Sequence, residues 1–194
     1  MRYAPEHKQR THEQIVREAA DALREHGPDG IGVADLMKRA GLTVGGFYAH
    51  FKSKDELIAE AITHMFEDRY ELFTTSMAGV PPAEGLSTYV DRYLSTKHRE
   101  RRHNGCPMPA LSGDLARLPP LARKRFEAGM QRLIDSMADV LRALKHPRAE
   151  ATAKSAIAEM VGALAISRAI VDSDLAEGIL KSARESIKQR LRLE

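Results

Sequence analysis

The sequence predicts an all-α protein: an N-terminal three-helix unit containing a helix-turn-helix, followed by a larger helical body, about nine helices in all. Three observations carry this. Ala, Leu, Arg and Glu abound, aromatics are 5% of residues and tryptophan is absent, a mix that suits helices better than sheets. Apolar residues recur at three- and four-residue spacing in segment after segment, with glycine and proline between the segments. The stretch 33–57, VADLMKRAGLTVGGFYAHFKSKDEL, reads as two short helices joined by a tight glycine turn.

Residues 1–10 are polar, carry a proline and read as a loose arm. Thr11-His12-Glu13-Gln14 fits a capping box, so the first helix is expected to start there. Its stripe is Ile15, Val16, Ala19, Ala20 and Leu23, and His26-Gly27-Pro28-Asp29-Gly30 stops it. Val33, Leu36, Met37 and Ala40 form the stripe of a second helix starting at Gly32, and Gly41 follows in the position where a left-handed residue ends a helix. Thr43 is placed to cap a third, in which Phe47 and Phe51 face the second helix while Gly45, Gly46, Ala49 and His50 stay outside.

Ser53-Lys54-Asp55-Glu56 is a second capping box, opening a long fourth helix to about Met77, which Gly79-Val80-Pro81-Pro82 terminates. The domain boundary is expected inside this helix, dividing residues 1–56 from 57–194. Leu86, Tyr89, Val90, Tyr93 and Leu94 mark a fifth helix running into the basic stretch 97–103. Cys106-Pro107 reads as N-cap and first helical residue of a short helix to about Leu115. Pro119-Pro120 opens a long helix with a regular stripe, and Pro147 separates it from the next.

The helix expected over 149–171 has almost no polar face after Glu159, so it asks for cover on all sides. The last helix, from about Asp174, carries Leu175, Ile179, Ala183, Ile187 and Leu191 in one row. One chain has too few helices to surround both, and a second copy is the natural cover, giving a four-helix interface. The interface residues so expected are Ile157, Val161, Leu164, Ala165, Leu175, Ile179, Ala183 and Ile187.

Composition narrows the function. A net charge of +3 and a pI near 9.0 fit nucleic-acid contact without requiring it. One cysteine excludes an intramolecular disulfide and any multi-cysteine metal site. No apolar run reaches the roughly 18 residues of a membrane span, and residues 1–14 are too polar for a signal peptide, so a cytoplasmic protein is expected. The histidines are scattered, and no HExxH, GxSxG, Walker loop or GxGxxG is present. No enzyme activity, cofactor or metal is therefore expected.

GLTVGGFYAHFKSKDEL resembles the signature of the TetR family (TetR/AcrR-like) of bacterial transcriptional regulators. The matching features are the Ala40-Gly41 turn, Phe47-Tyr48, His50-Phe51 and the run from Lys52 to Leu57, and the resemblance covers roughly residues 10–57. It implies a homodimer that binds pseudo-palindromic double-stranded operator DNA, most often as a repressor. It also implies that a small-molecule inducer in the C-terminal domain releases the protein from DNA. The dimer contact it implies lies on the last two helices. Gly32 departs from the pattern, since many relatives carry threonine there.

For DNA contact the candidates are Thr43, Tyr48, His50 and Lys54 at phosphates, Val44, Gly45 and Gly46 at base edges, and Lys38 and Arg39 as additional phosphate partners. Two glycines donate no side-chain hydrogen bond, so readout there rests on close approach, contact with a thymine methyl and DNA shape. Met65, Phe66, Tyr89, Tyr93, Cys106, Met108, Phe126, Met130 and Met137 are candidate lining of an inducer cavity. Cys106 has a second reading: at a helix N-terminus beside Arg101, Arg102 and His103 its thiol is expected to lean towards thiolate and sense oxidants or electrophiles, against the plainer reading of a small packed residue. A different class, a helical interaction module or a small helical enzyme that binds no DNA, requires the helix-turn-helix pattern to be coincidental.

Overall fold

The structure is a computed structural model and describes residues 5–28, 30 and 32–193. Every regular element among them is helical: nine α-helices and two 3-10 helices. Residues 1–4 of the expected arm and Asp29 of the expected turn lie outside the described residues.

α1 (Pro5–His26) starts six residues before the expected cap. Thr11 sits inside the helix and donates its hydroxyl to the His7 carbonyl, one turn back. Gln14 reaches across to the Ala40 carbonyl at 3.2 Å and so ties α1 to the end of α2 (Val33–Arg39). The capping-box reading fails because both side chains found other partners. Residues 6–10 are exposed, yet the helix continues through them.

α2 ends as its glycine requires. Gly41 has φ +70°, Leu42 N–H bonds the Met37 carbonyl at 2.8 Å, and Gly41 N–H bonds the Lys38 carbonyl at 3.0 Å. These paired bonds form a Schellman closure. The helix that follows is 3-10 rather than α, over Val44–Ala49. Consecutive glycines lower the stability of an α-helical turn, and the tighter winding still buries Phe47 and Phe51, with ring centroids 5.5 Å apart.

α3 (Lys54–Met77) opens on the second capping box. Ser53 Oγ accepts from the Glu56 N–H at 3.2 Å, while the Glu56 carboxylate takes the Lys52 N–H at 2.6 Å. α3 packs on α1 at one end and along α7 (Pro120–Ala143) over much of its length. Gly129 permits the close crossing of α3 and α7. A Cβ there would fall 2.2 Å from the Phe66 ring, which is held edge-on by Phe126.

The expected fifth helix is broken in two. α4 (Pro82–Tyr93) stops at Leu94, and Ser95 caps a separate α5 (Thr96–Glu100). α6 (Pro107–Leu111) begins at Pro107 with Cys106 as N-cap and is shorter than expected; a 3-10 turn (Leu115–Arg117) follows. α8 (Ala149–Ala169) and α9 (Ser173–Leu191) pack on each other, and α8 also lies against α7.

The basic stretch 97–103 divides by task. Arg99 donates to the Ser167 and Ile170 carbonyls and Arg102 to the Arg168 carbonyl, all at the C-terminal end of α8. In return Arg168 donates to the His98 and Arg99 carbonyls. Cations at a helix C-terminus satisfy carbonyls that have no partner in the helix and oppose its dipole.

Candidate nucleic-acid interface

α1, α2 and the 3-10 helix enclose Ile15, Leu23, Leu36, Met37, Phe47 and Phe51, all buried. That core fixes which side of the 3-10 helix faces out. Thr43, Val44 (49% exposed), Gly45, Tyr48 (75% exposed) and Ala49 form an exposed tip. Gly46, His50 and Lys54 beside it are half-buried. A Cβ on Gly45 would meet nothing within 4 Å, so the surface there is open.

Several candidates stand differently from expectation. Thr43 occupies the N-cap position, but its hydroxyl makes no capping bond. Tyr48 rests on the unit only edge-on against Phe47, 5.3 Å away, so most of its ring is in solvent. His50 leans inward: its Nδ1 is buried without a partner, and its ring lies 6.0 Å from His12. Burial first, then the charges of His12 and Lys8, lower its pKa, so it is a neutral imidazole near pH 7. His12 itself stacks on Phe51 at 4.5 Å and reaches Glu60 of α3 at 2.7 Å. Lys38 and Arg39 are exposed in the last turn of α2 and border a cleft with Gly30, Gly32 and Asp35.

The candidate cavity lining is packed together. Met65, Phe66, Tyr89, Tyr93, Cys106, Met108, Phe126 and Met137 are buried against one another, and Met130 is half-buried. Rings meet ring to ring: Phe66 with Phe126, Tyr89 with Phe73 and Tyr93, Tyr93 with His98. Of the nine, Phe66 alone borders one of the clefts described here, a small one with Thr63, Glu67, Tyr70 and Arg132. Large apolar side chains in a tight bundle fill space before they line it.

Cys106 corrects a second expectation. It is wholly buried, and burial pushes its thiol up despite the Tyr93 hydroxyl, the Met108 backbone and the Arg69 and Arg168 charges. The helix it caps has five residues, too little dipole to outweigh desolvation. Arg101, Arg102 and His103, expected to help, are exposed. The Cys106 N–H bonds His98 Nε2 at 3.1 Å, and His98 Nδ1–H donates to the Tyr93 carbonyl at 2.7 Å. This arrangement is a structural joint holding a protonated thiol.

The dimer candidates divide as well. Leu164 and Ile187 are fully buried within the subunit and Ile157 nearly so, facing the chain's own core. Val161, Ala165, Ile179 and Ala183 are half-buried, and Leu175 is 56% exposed. The face left open on α8 and α9 comprises Ala158, Gly162, Ala165, Ile166 (55% exposed), Ala169, Leu175 and Ile179. Ile166 belongs to it and was missed, because a helix apolar all round offers no polar side from which to orient it.

Arg24 is the other residue the sequence does not mark. Its side chain is buried where α1 meets the body: Nε donates to the Gly105 carbonyl at 3.0 Å, Nη1 to the His103 carbonyl and Asp21, and Nη2 to Asp68 of α3. Apart from Asp21, its partners lie 44 to 81 residues away, so local pattern carries no signal of them.

A three-helix unit with a buried core and a small-residued helical tip, joined by a long helix to a helical body, is the helix-turn-helix arrangement of DNA-binding domains. Residues 15–61 match the family model described as bacterial regulatory proteins, tetR family. The sequence likeness to that family therefore covers the helix-turn-helix segment and the start of α3. Among relatives, it is 26% identical over 113 residues to the HTH-type transcriptional repressor DhaR of Mycobacterium sp. (strain GP1), covering 57% of this chain and 55% of that protein. It is 29% identical over 105 residues to the uncharacterized HTH-type transcriptional regulator Rv0196 of Mycobacterium tuberculosis, covering 52% and 50%. These matches span about half the length of either relative. Likeness of fold extends further: a TetR transcriptional regulator from Chloroflexus aurantiacus superposes with TM-score 0.82 at 24% identity over 96% of both chains. The reduced form of Escherichia coli NemR superposes with TM-score 0.81 at 18% identity over 93% of this chain and 97% of that one. No helix among the described residues is long and apolar enough to cross a membrane.

Proposed function

We propose that this chain is a homodimeric, ligand-responsive regulator, with residues 1–56 binding a pseudo-palindromic operator and residues 57–194 pairing the subunits and receiving a small-molecule inducer. The observation that carries the reading is the open tip Val44–Ala49 seated on buried Phe47 and Phe51. A glycine-bearing surface lets backbone approach base edges closely, and Val44 is positioned to meet a thymine methyl. Thr43, Tyr48 and Lys54 flank that tip as phosphate partners. His50, being neutral, contributes there through a hydrogen bond rather than an ion pair. Lys38 and Arg39, exposed in the last turn of α2, serve as additional cations.

The open face of α8 and α9 supports pairing through a second copy, which sets the spacing of the two tips. Repression is the favoured direction, as in the repressor from Mycobacterium sp. that this chain resembles. An inducer that binds the form with unsuitable spacing shifts the population away from DNA.

The test is the salt dependence of binding to an operator recovered by selection from random DNA. The logarithm of affinity should fall linearly with the logarithm of salt concentration, at roughly 0.9 per phosphate neutralised. Lys54→Ala should lower affinity for all sequences alike and flatten that slope by about 2 per dimer, one phosphate for each subunit. A flat response in the wild type overturns DNA binding, and an unchanged slope in Lys54→Ala overturns the phosphate role of Lys54.

A further inference from the structure

A cleft of about 390 Å³ opens between α3, the α4–α5 junction and residues 101–104. Arg69, Arg92, Lys97 and Arg101 line it together with Leu72, Ser95, His98 and Asn104, and no carboxylate does. None of these four cations takes part in an ion pair among the described residues, although the chain carries 27 carboxylate side chains. His98 adds no charge, because burial holds its pKa down to about 4. Ser95 is already engaged, donating to the Arg92 carbonyl and accepting from the His98 N–H. Arg92 reaches only the Ser76 hydroxyl, at 3.3 Å.

Arg69 is the decisive residue. It is 9% exposed, its Nε is buried without a partner, and its one hydrogen bond is from Nη2 to the Asn104 carbonyl at 3.4 Å. A guanidinium offers five donors and retains its charge at any relevant pH. Burying the Nε donor without a partner is unfavourable unless an acceptor such as an anion completes the site. Planar bidentate donors at the base and mobile cations at the rim are the arrangement that holds a carboxylate or phosphate.

We propose that this cleft is the seat of the inducer and that the inducer is a small polar molecule bearing a carboxylate or phosphate group. The identification of the cleft's occupant as inducer rests on the regulatory function proposed above; the anion site itself does not. Leu72 is the one aliphatic side chain in the lining, which disfavours a lipophilic ligand. The route to the DNA-binding unit is short. An anion drawing Arg69 and Arg101 together acts on residues 101–105, and the His103 and Gly105 carbonyls of that loop hold Arg24 of α1. Arg24 also pairs with Asp68, the neighbour of Arg69 on α3. Occupancy of the cleft therefore bears on a buried polar joint between α1 and the body.

Calorimetric titration with inorganic phosphate, pyrophosphate and citrate, at ionic strength held constant with sodium chloride, tests the site. The phosphate and carboxylate arms distinguish the two anion classes. At least one anion should bind saturably, one per subunit. Arg92→Gln and Arg101→Gln, both exposed and so tolerated by the fold, should weaken that binding about tenfold or more, as expected for loss of a charge-assisted contact. Lys124→Gln, an exposed cation on α7 outside the cleft, should leave it unchanged. Absence of saturable binding by all three anions, or equal weakening in Lys124→Gln, overturns the proposal. The same anion is then added to the operator complex. Release supports its role as inducer; binding without release removes that role while the anion site stands; and failure of the protein to bind any operator strikes the regulatory reading alone.

Discussion

Gly45 shows what a single position can decide. Its Cβ would meet open space and its φ is not positive, so alanine costs the fold nothing that the structure shows. Gly45→Ala should leave the free energy of unfolding within about 0.5 kcal/mol of wild type, as read by urea denaturation. If backbone must approach the bases, the same methyl should cost at least tenfold in operator affinity. Anisotropy titration of the variant checks this, and wild-type affinity would show that close approach at Gly45 is not needed. Some residues were legible beforehand for physical reasons. Gly41 was, because a left-handed helix end selects glycine, and Phe47 and Phe51 were, because their spacing puts both rings on one face. Arg24 and Arg69 were not. What a buried arginine meets depends on the packing of distant helices, and nothing in its neighbours along the chain records it.

Among elements, the junction of α4, α5 and α6 is where one side chain binds three helices. His98 of α5 takes the Cys106 N–H ahead of α6 and gives its own proton to the Tyr93 carbonyl at the end of α4. That geometry requires the neutral ring. Burial lowers its pKa from 6.5 to about 4. An unfolded chain thus takes up this proton below pH 6.5, whereas the folded chain resists until about pH 4. Stability from this group is complete above pH 6.5 and is lost as pH falls from there towards 4, by roughly 3 kcal/mol in total. Urea midpoints from pH 7.5 to 4.5, compared between wild type and His98→Gln, should diverge at neutral pH and converge on acidification. A constant difference would contradict the assignment. Element boundaries were legible where proline or glycine marks them, as at Gly41, Pro107 and Pro120. They were missed where polar residues choose between partners. Thr11 had the composition of a cap but became interior helix, and Ser95 began a helix that periodicity through Leu94 and the basic run concealed.

For the whole molecule, the question is what covers α8 and α9. The apolar character of α8 called for cover on all sides; its own subunit covers Leu164 and Ile157 and leaves Ala158, Ile166 and Ala169 exposed. Sequence periodicity disclosed the need for cover but not its division between α7, α9 and solvent. The helical class and the helix-turn-helix were legible because both rest on local spacing; the basic cleft was not, because Arg69, Arg92 and Arg101 come from three separate segments. The central claim is that two copies, joined along that open face, set their Val44–Ala49 tips into major grooves on one side of the duplex. Hydroxyl-radical footprinting on the selected operator tests it most directly. The expected result is two protected segments related by twofold symmetry, with centres about one helical turn apart or slightly more. A single protected segment, or protection without a symmetric centre, would contradict it.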